Sequence, residues 1–260
     1  MHSLEIAYTQ HSGRQRSMQQ DALWNGQALC QSKDQPTTVI MRREQSSLFA
    51  VADGVSVSPM PQLASCFVIG TLAAMLNDSP QSVLDVRQIR RVHGLLCDRF
   101  AHGRTFGSST TLVATQIEGN QCVTVNTGDS RAYRILADGN WQTLSRDHTV
   151  IESLRQQGLA SCDREYAHIY DALDSCLIAD DEETGFSVHL QASPFEVGDT
   201  LLLCSDGVHQ TLGQKALEKL FDPRHSARAQ AEIFRTAVLR AGAPDNFSLI
   251  LVKHTGNVPV

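Results

Sequence analysis

Two short apolar runs in this chain end on the dipeptide Asp-Gly, and they constrain how it can fold. The first run precedes Asp53-Gly54, and the second precedes Ser205-Asp206-Gly207. Each run is too short for a stable helix and is bounded by turn residues, which predicts a buried strand. Each aspartate is therefore expected at the rim of a core. Two carboxylates held rigidly in this way suggest a site for a hard metal ion.

The chain contains a third Asp-Gly pair, Asp138-Gly139. Asp-Gly is also a common turn dipeptide, so a pair by itself does not indicate a functional site. Asp138-Gly139 lies between two alternating segments, residues 132–136 and 141–144, and the short connection fits an ordinary hairpin. Helix-like segments follow the other two pairs instead of a returning strand. Either of those two could be a plain turn, but finding them paired favours a functional role.

Length and composition limit the class of protein. With 260 residues, 42% of them hydrophobic, the chain can bury one sizeable core as a single domain over residues 1–260. A net charge of -6 and the absence of a basic block argue against nucleic acid as a partner. Seven cysteines without a C-x-x-C pair indicate neither a disulfide framework nor a zinc site.

The chain start lacks the features of a signal peptide, and the longest apolar stretch, residues 63–76, is too short to cross a bilayer. We therefore expect a cytoplasmic protein without membrane insertion, and a monomer.

The remaining patterns predict the order of the elements. Apolar or alternating segments predict strands at residues 4–9, 38–41, 48–52, 110–117, 121–126, 132–136, 141–144, 186–191, 200–205 and 247–253. Helical spacing and boundary residues predict helices at residues 62–77, 83–100, 150–157, 214–221 and 227–241. The four strands between 110 and 144 are expected to form an antiparallel meander. This order predicts an α+β fold, in which two antiparallel β-sheets pack face to face, flanked by helix pairs, as an α-β-β-α sandwich.

Three more aspartates, Asp21, Asp129 and Asp245, occur at predicted strand ends beside small or turn-forming residues. Mg²⁺ and Mn²⁺ prefer oxygen ligands, so a cluster of aspartates suits them better than His or Cys. Asp129 could equally be a turn residue paired with Arg131, and Asp245 an ordinary loop acid. Spacing alone does not separate these alternatives.

Seven motifs stand in order along the chain: Arg16-Ser17-Met18-Gln19-Gln20-Asp21, Val51-Ala52-Asp53-Gly54, Gly107-Ser108-Ser109-Thr110, Asn126-Thr127-Gly128-Asp129-Ser130-Arg131-Ala132-Tyr133, Leu144-Ser145-Arg146-Asp147-His148, Ser205-Asp206-Gly207 and Asp245-Asn246-Phe247-Ser248. This succession resembles the metal-dependent serine/threonine protein phosphatases, the PPM or protein phosphatase 2C family, especially its compact bacterial members. The resemblance covers nearly the whole chain and implies the same sandwich of two sheets and helix pairs.

The resemblance also implies a centre of two Mn²⁺ or Mg²⁺ ions. By analogy with the family, Asp53 bridges both ions and the Gly54 carbonyl binds one of them. Asp206 and Asp245 complete the other ion's ligands. Asp129 together with Asp206 holds a third, weakly bound ion.

For catalysis, the resemblance implies that Asp53, Asp21 and Arg16 take part. A hydroxide that bridges the metal ions attacks the phosphorus of phosphoserine or phosphothreonine directly, without a phosphoenzyme. Asp21 positions the metal-bound water, and Arg16 binds the substrate phosphate. The implied substrates are phosphorylated proteins, made by a bacterial Ser/Thr kinase that the phosphatase opposes.

The chain departs from the family pattern at two places. Gln19-Gln20 replaces the usual Asn-Glu, which removes a charge near the metal ions. Val55 stands where many eukaryotic relatives have a histidine, and His148 is the nearest substitute, for which a structural role is favoured over that of general acid. The Gln19-Gln20 pair motivates an alternative, a pseudophosphatase of the same fold that acts as a binding or regulatory module.

A polar segment at about residues 149–185 corresponds to the mobile flap of bacterial members. Its acidic run, Asp180-Asp181-Glu182-Glu183, is interpreted as a solvated loop. Residues 168–173 and 177–179 resemble the flap of phosphatases linked to type VI secretion.

Overall fold

The computed structural model describes residues 2–44, 46–77, 82–161, 164, 166–182 and 185–257, and its main feature is a pair of six-stranded antiparallel sheets. The strands of the first sheet are β1 (His2–His11), β4 (Asp34–Glu44), β9 (Arg131–Ile135), β10 (Trp141–Thr143), β13 (Thr200–Cys204) and β14 (Phe247–Asn257). Those of the second are β2 (Ala22–Trp24), β3 (Leu29–Cys30), β5 (Ser46–Ala52), β7 (Leu112–Glu118), β8 (Gln121–Thr127) and β12 (His189–Pro194). The first sheet has the order β10-β9-β13-β14-β1-β4 and the second the order β12-β8-β7-β5-β2-β3.

Helices cover the outer face of each sheet. They are α1 (Pro61–Asn77) and α2 (Val86–Phe100) on the second sheet, and α4 (Asp206–Leu212), α5 (Gln214–Leu220) and α6 (Ala227–Arg240) on the first. A further short helix, α3 (Val150–Gln156), lies at the start of the flap. The predicted α-β-β-α sandwich is confirmed.

The two apolar runs that end on Asp-Gly are buried on both of their faces. In β5, Phe49 and Val51 pack in the core between the sheets, whereas Ala50 packs against α1 and α2. In β13, Leu203 lies between the sheets and Leu202 faces the helices. A strand buried on both faces needs apolar residues at every position. This explains why both runs are continuous instead of alternating.

The predicted four-strand meander is wrong at its centre. β7 pairs with β8 in the second sheet, but β9 pairs with β10 and β13 in the first. The chain therefore crosses from one sheet to the other between β8 and β9. Gly128 begins this crossing with φ +89, and a Cβ there would lie 2.6 Å from the Thr111 side chain. Short turn-like connections do not reveal from sequence whether a strand stays in its sheet.

Other boundaries also differ from the predictions. Asp206 is the first residue of α4 and follows the N-cap Ser205, so it does not end a strand as Asp53 does. Helix α2 begins at Val86 because the Asp85 side chain caps it, accepting a 2.8 Å hydrogen bond from the Gln88 amide. The hairpin around Asp138-Gly139 is confirmed, since β9 pairs with β10.

The flap contains α3, a 3₁₀ helix at His168–Asp171 and the short strand β11 (Leu177–Ile178). β11 pairs with β6 (Ser109–Thr110) in a separate two-stranded sheet. Residues 162, 163, 165, 183 and 184 of this segment lie outside the described residues, and with them one acid of the predicted acidic run. Within the described ranges, no helix is both long and apolar enough to cross a membrane.

Candidate metal centre

Four of the predicted metal-ligand aspartates line one cleft of about 610 Å³, together with Arg16. Each comes from a different segment, because Asp53 follows β5, Asp129 lies on the crossing, Asp206 starts α4 and Asp245 precedes β14. The fold brings them together by pairing β13 with β14 and by packing β5 against both strands across the core. Gly54 lines the same cleft, whereas Asp21 is fully buried.

Hydrogen bonds fix Asp53 to the segment that carries Asp129. The Asp53 amide donates to Thr111 Oγ1 at 3.0 Å, and the Thr111 amide donates to the Asp53 carbonyl at 2.8 Å. Thr111 Oγ1 also lies 2.8 Å from the hydroxyl of Ser130, the neighbour of Asp129. The two aspartates are thus linked through one threonine. Sequence reasoning did not assign a role to Thr111.

Asp21 supports the site from inside the core. Its Oδ2 atom accepts hydrogen bonds from Ser205 Oγ at 2.8 Å and from Ser248 Oγ at 2.7 Å. Burial raises the pKa of Asp21 to about 7, although both serines oppose that rise. Its Oδ1 atom is buried and has no amide or hydroxyl donor within the described part of the chain. Asp21 therefore keeps one acceptor oxygen for a proton or a cation.

The carboxylates raise one another's pKa values. Burial is the main cause for Asp53 and Asp129, and repulsion from neighbouring aspartates adds to it, so both pKa values lie well above the usual range. Burial also raises the pKa of Asp206, and repulsion from Asp245 adds to the rise. Ionising the whole group without cations is costly. An oxygen-only donor set with this charge fits hard divalent cations.

Arg16 supplies positive charge beside Asp245, Asp206 and Asp53. Its Nε and Nη2 atoms donate to the two oxygens of Asp245 at 2.9 and 2.7 Å. This hydrogen bond is also the main reason why the pKa of Arg16 is raised, and Asp206 and Asp53 add to it. Arg16 therefore contacts Asp245, and both oxygens of this candidate ligand are engaged.

The donors are not arranged as a finished coordination shell. No three His, Cys, Asp or Glu side chains among the described residues converge closely enough to hold a metal ion as they stand. Arg16 engages both oxygens of Asp245, so an ion at Asp245 would have to compete with Arg16 for them. The chemistry of the donors fits the ions.

The glycines of both Asp-Gly pairs are required for close approach of the backbone. A Cβ at Gly54 would lie 2.7 Å from the Pro61 carbonyl oxygen, and one at Gly207 would lie 1.9 Å from the Asn246 carbonyl oxygen. By contrast, Gly139 has φ +89, so the hairpin copy needs glycine for its backbone conformation. The functional and structural copies thus use glycine for different reasons.

Replacing Gly207 with alanine is expected to destabilise the fold by about 1–3 kcal/mol, because the methyl group must push apart the segments that carry Asp206 and Asp245. Chemical denaturation measures the loss. Gly94→Ala in α2 is the matched control, since no atom lies within 4 Å of its Cβ. That change should stabilise by about 0.5–1 kcal/mol. Equal stabilities of both variants would contradict the close-packing argument.

The two glutamines that depart from the family pattern make structural contacts. The Gln19 side chain accepts a hydrogen bond from the Asp21 amide at 3.0 Å and donates to the Ser32 carbonyl at 3.3 Å. Gln20 accepts a 2.9 Å hydrogen bond from Ser56 Oγ through its side chain. Both side chains hold the loop that leads to Asp21.

His148 has a structural contact, as favoured from the sequence. Its Nδ1 atom accepts a 3.2 Å hydrogen bond from the Gly128 amide, and burial lowers its pKa. It therefore fixes the crossing on which Asp129 lies. His209, which sequence reasoning missed, also contacts the backbone of this crossing, at Asp129. Burial lowers its pKa to about 3, and its Nε2 atom lies 3.0 Å from the Asp129 carbonyl oxygen.

Asn246 ties the Arg16 loop to the start of β14. Its side chain accepts a 2.6 Å hydrogen bond from the Gln20 amide and donates to the carbonyls of Ser12 and Met18 at 2.7 and 3.0 Å. Asn246 belongs to a motif visible in the sequence, but its role is apparent only from these partners, which are more than 200 positions away.

Comparison with known proteins identifies the family. The family model described as protein phosphatase 2C matches residues 27–241. The chain belongs to the protein phosphatase 2C family. The matched span includes Asp53, Asp129 and Asp206, whereas Arg16, Asp21 and Asp245 lie outside it.

Part of the chain is similar in sequence to known phosphatases. It is 33% identical over 147 residues to the serine/threonine phosphatase stp of Listeria welshimeri, which covers 56% of this chain and 57% of the relative. The chain thus matches little more than half the length of that curated relative.

Solved structures share the fold. The serine/threonine phosphatase PstP/Ppp of Mycobacterium tuberculosis has a TM-score of 0.80 at 22% identity, covering 98% of this chain and 100% of the other. The PstP catalytic domain in complex with two manganese ions has a TM-score of 0.76 at 23% identity, covering 97% and 99%. PppA, a regulatory component of the type VI secretion system in Pseudomonas aeruginosa, has a TM-score of 0.69 at 23% identity, covering 96% and 97%.

Proposed function

We propose that this chain is a Mn²⁺- or Mg²⁺-dependent phosphatase that hydrolyses phosphoserine and phosphothreonine in proteins. The observation that carries this proposal is the gathering of Asp53, Asp129, Asp206 and Asp245 in one cleft beside Arg16. Membership of the family and the manganese ions of the PstP neighbour support it. Residues 1–260 form one phosphatase domain, with the flap at about 149–185.

Each carboxylate is assigned to one or two of the proposed ions. Asp53 and the Gly54 carbonyl would hold one ion, and Asp53 with Asp206 and Asp245 would hold the other. Asp129 and Asp206 would hold a third ion weakly. When bound, ions of this kind activate a water molecule as the nucleophile and neutralise phosphate charge.

Two residues act beside the ions. Arg16, released from Asp245, binds the substrate phosphate with two parallel hydrogen bonds and spreads the charge of the transition state. Ser205 and Ser248 hold the first oxygen of the buried Asp21 in place, and its second oxygen would be the acceptor that orients a water molecule supplied by the ions. The direct attack requires no phosphoenzyme.

The substrates are phosphoproteins made by a cognate Ser/Thr kinase. The resemblance of the flap and the likeness to PppA support a place in the control of type VI secretion. Phosphoproteomics of a deletion strain identifies the substrates.

Two observations favour a second candidate, a pseudophosphatase of the same fold. The side chains of Gln19 and Gln20 supply no charge to the ions, and Arg16 forms an ion pair with Asp245. Such a module binds divalent ions weakly or not at all.

Metal removal tests the proposal. The purified protein is expected to release phosphate from a phosphothreonine peptide with Mn²⁺, to lose this activity completely in EDTA, and to regain it when Mn²⁺ is returned. Calorimetry of the metal-free protein should show two Mn²⁺ sites. Absence of both heat and turnover at millimolar Mn²⁺ would overturn the proposal in favour of the pseudophosphatase.

A further inference from the structure

The cleft that contains the carboxylates is also lined by apolar side chains. Five larger aliphatic residues line it, and we call them the apolar wall: Val55, Val57, Ile169, Leu173 and Ile178. Val57 is 96% exposed and Ile169 is 77% exposed, so both side chains are open to solvent. Exposed apolar side chains gathered in one cleft are typical of a binding surface.

The loop that carries Val57 is held rigidly. The Val55 amide donates to the Ser109 carbonyl at 3.0 Å, and the Ser58 amide closes a turn onto the Val55 carbonyl at 2.8 Å. Ser58 Oγ also accepts a 3.0 Å hydrogen bond from the Ser109 amide. Val57 therefore lies at the tip of a fixed turn, and little ordering is needed when it contacts a ligand.

The flap presents Ile169 in a similar way. Ile169 belongs to the 3₁₀ helix at His168–Asp171, and the next residues are tied to the start of α3. The Val150 amide donates to the Ala172 carbonyl at 3.0 Å, and Leu173 forms an isolated β-bridge with Thr149. The two exposed residues of the apolar wall thus come from separate, anchored segments.

We infer that the apolar wall selects phosphoprotein substrates with an apolar residue next to the phosphoserine or phosphothreonine. This inference rests on the proposed phosphatase function. A phosphate bound at Arg16 and the carboxylates places the flanking residues within one or two Cα spacings, about 4–8 Å, which is the scale of this cleft. Asp171 also lines the cleft and disfavours an acidic flanking residue.

Three phosphothreonine peptides of equal length test the inference with the Mn²⁺-loaded protein. They differ only in the residues on both sides of phosphothreonine, which are Leu, Gly or Asp. The kcat/KM for phosphate release is expected to be about tenfold higher for the Leu peptide than for the Gly peptide, the scale of one small apolar contact. The Asp peptide should be the poorest substrate.

In the double variant Val57→Ser, Ile169→Ser, the kcat/KM for the Leu peptide is expected to fall close to the kcat/KM for the Gly peptide. Its kcat/KM for the Gly peptide should stay within about twofold of the value for the unchanged protein, because glycine has no side chain to contact the apolar wall. Val197→Ser is the matched control, since Val197 is 51% exposed but does not line the cleft. It should keep the full preference.

Three results would overturn the inference alone. The first two are equal kcat/KM for the Leu and Gly peptides in the unchanged protein, and an unchanged preference in the double variant. The third is a higher kcat/KM for a fourth peptide, flanked by Arg, than for the Leu peptide, which would favour recognition by Asp171. Absence of phosphate release from every peptide would instead overturn the proposed phosphatase function.

Discussion

Asp53→Asn is expected to lower kcat for phosphate release by about 10³-fold, the scale of losing one element of transition-state charge stabilisation. Asp53 is proposed to ligate both ions, so no other single residue contributes as much to the site. The same change should weaken Mn²⁺ binding in calorimetry. Asparagine keeps the shape of the side chain, and the effect is therefore one of charge.

Without metal, the same variant is expected to be more stable than the unchanged protein. Burial and neighbouring aspartates raise the pKa of Asp53, so its ionisation near neutral pH costs folding free energy. This cost is present above the pKa of the unfolded chain and disappears as the pH falls. A gain of about 1 kcal/mol raises the melting temperature of a domain this size by about 2–4 °C.

Asp138→Asn is the matched control for Asp53→Asn, because it changes the same dipeptide in a hairpin. It should alter neither turnover nor Mn²⁺ binding. If Asp53→Asn keeps more than a tenth of the activity, Asp53 is not the bridging ligand. If it lowers the stability of the metal-free protein, the carboxylates do not repel one another as argued here.

Arg16→Met is expected to change substrate use and metal binding in opposite directions. Loss of the guanidinium removes two charged hydrogen bonds to the phosphate, and kcat/KM should fall about 10²-fold. The same loss frees both oxygens of Asp245, which Arg16 otherwise engages at 2.9 and 2.7 Å. Mn²⁺ should then bind about three- to tenfold more tightly, since a bidentate ion pair at the surface contributes about 1 kcal/mol.

Phosphate release and calorimetry on the same preparation measure both effects. Arg14→Met, two positions earlier and also exposed, is the control for general loss of positive charge. It should change both quantities by less than twofold. Weaker Mn²⁺ binding in Arg16→Met would show that Arg16 supports the ligands instead of competing for them.

The layers of the fold were predictable because the pattern of apolar residues within each segment shows which faces of a strand or helix are buried. Continuous apolar runs predicted the buried strands β5 and β13, and helical spacing predicted α1, α2 and α6. The crossing between β8 and β9 was not predictable, because a three-residue connection looks the same whether the strands share a sheet or not. Short strands such as β2 and β11 were missed because two or three residues carry no period.

Some residues of the site were likewise predictable from the sequence, and others were not. Asp53 and Asp206 were visible as a repeated motif, and the remaining aspartates needed the order of seven motifs. The ion pair between Arg16 and Asp245 joins residues 229 positions apart, so no local pattern reports it. The same holds for the serines that bind Asp21 and for the apolar wall, whose members come from separate segments.

The two sheets contribute different ligands to the cleft. Asp53 follows a strand of the second sheet, whereas Asp206 and Asp245 adjoin strands of the first. An ion held by both Asp53 and Asp206, as proposed, would thus be a reversible cross-link between the two halves of the sandwich, closing a chain loop of about 150 residues. Metal binding would then add to the stability of a contact between the sheets that the apolar core already provides.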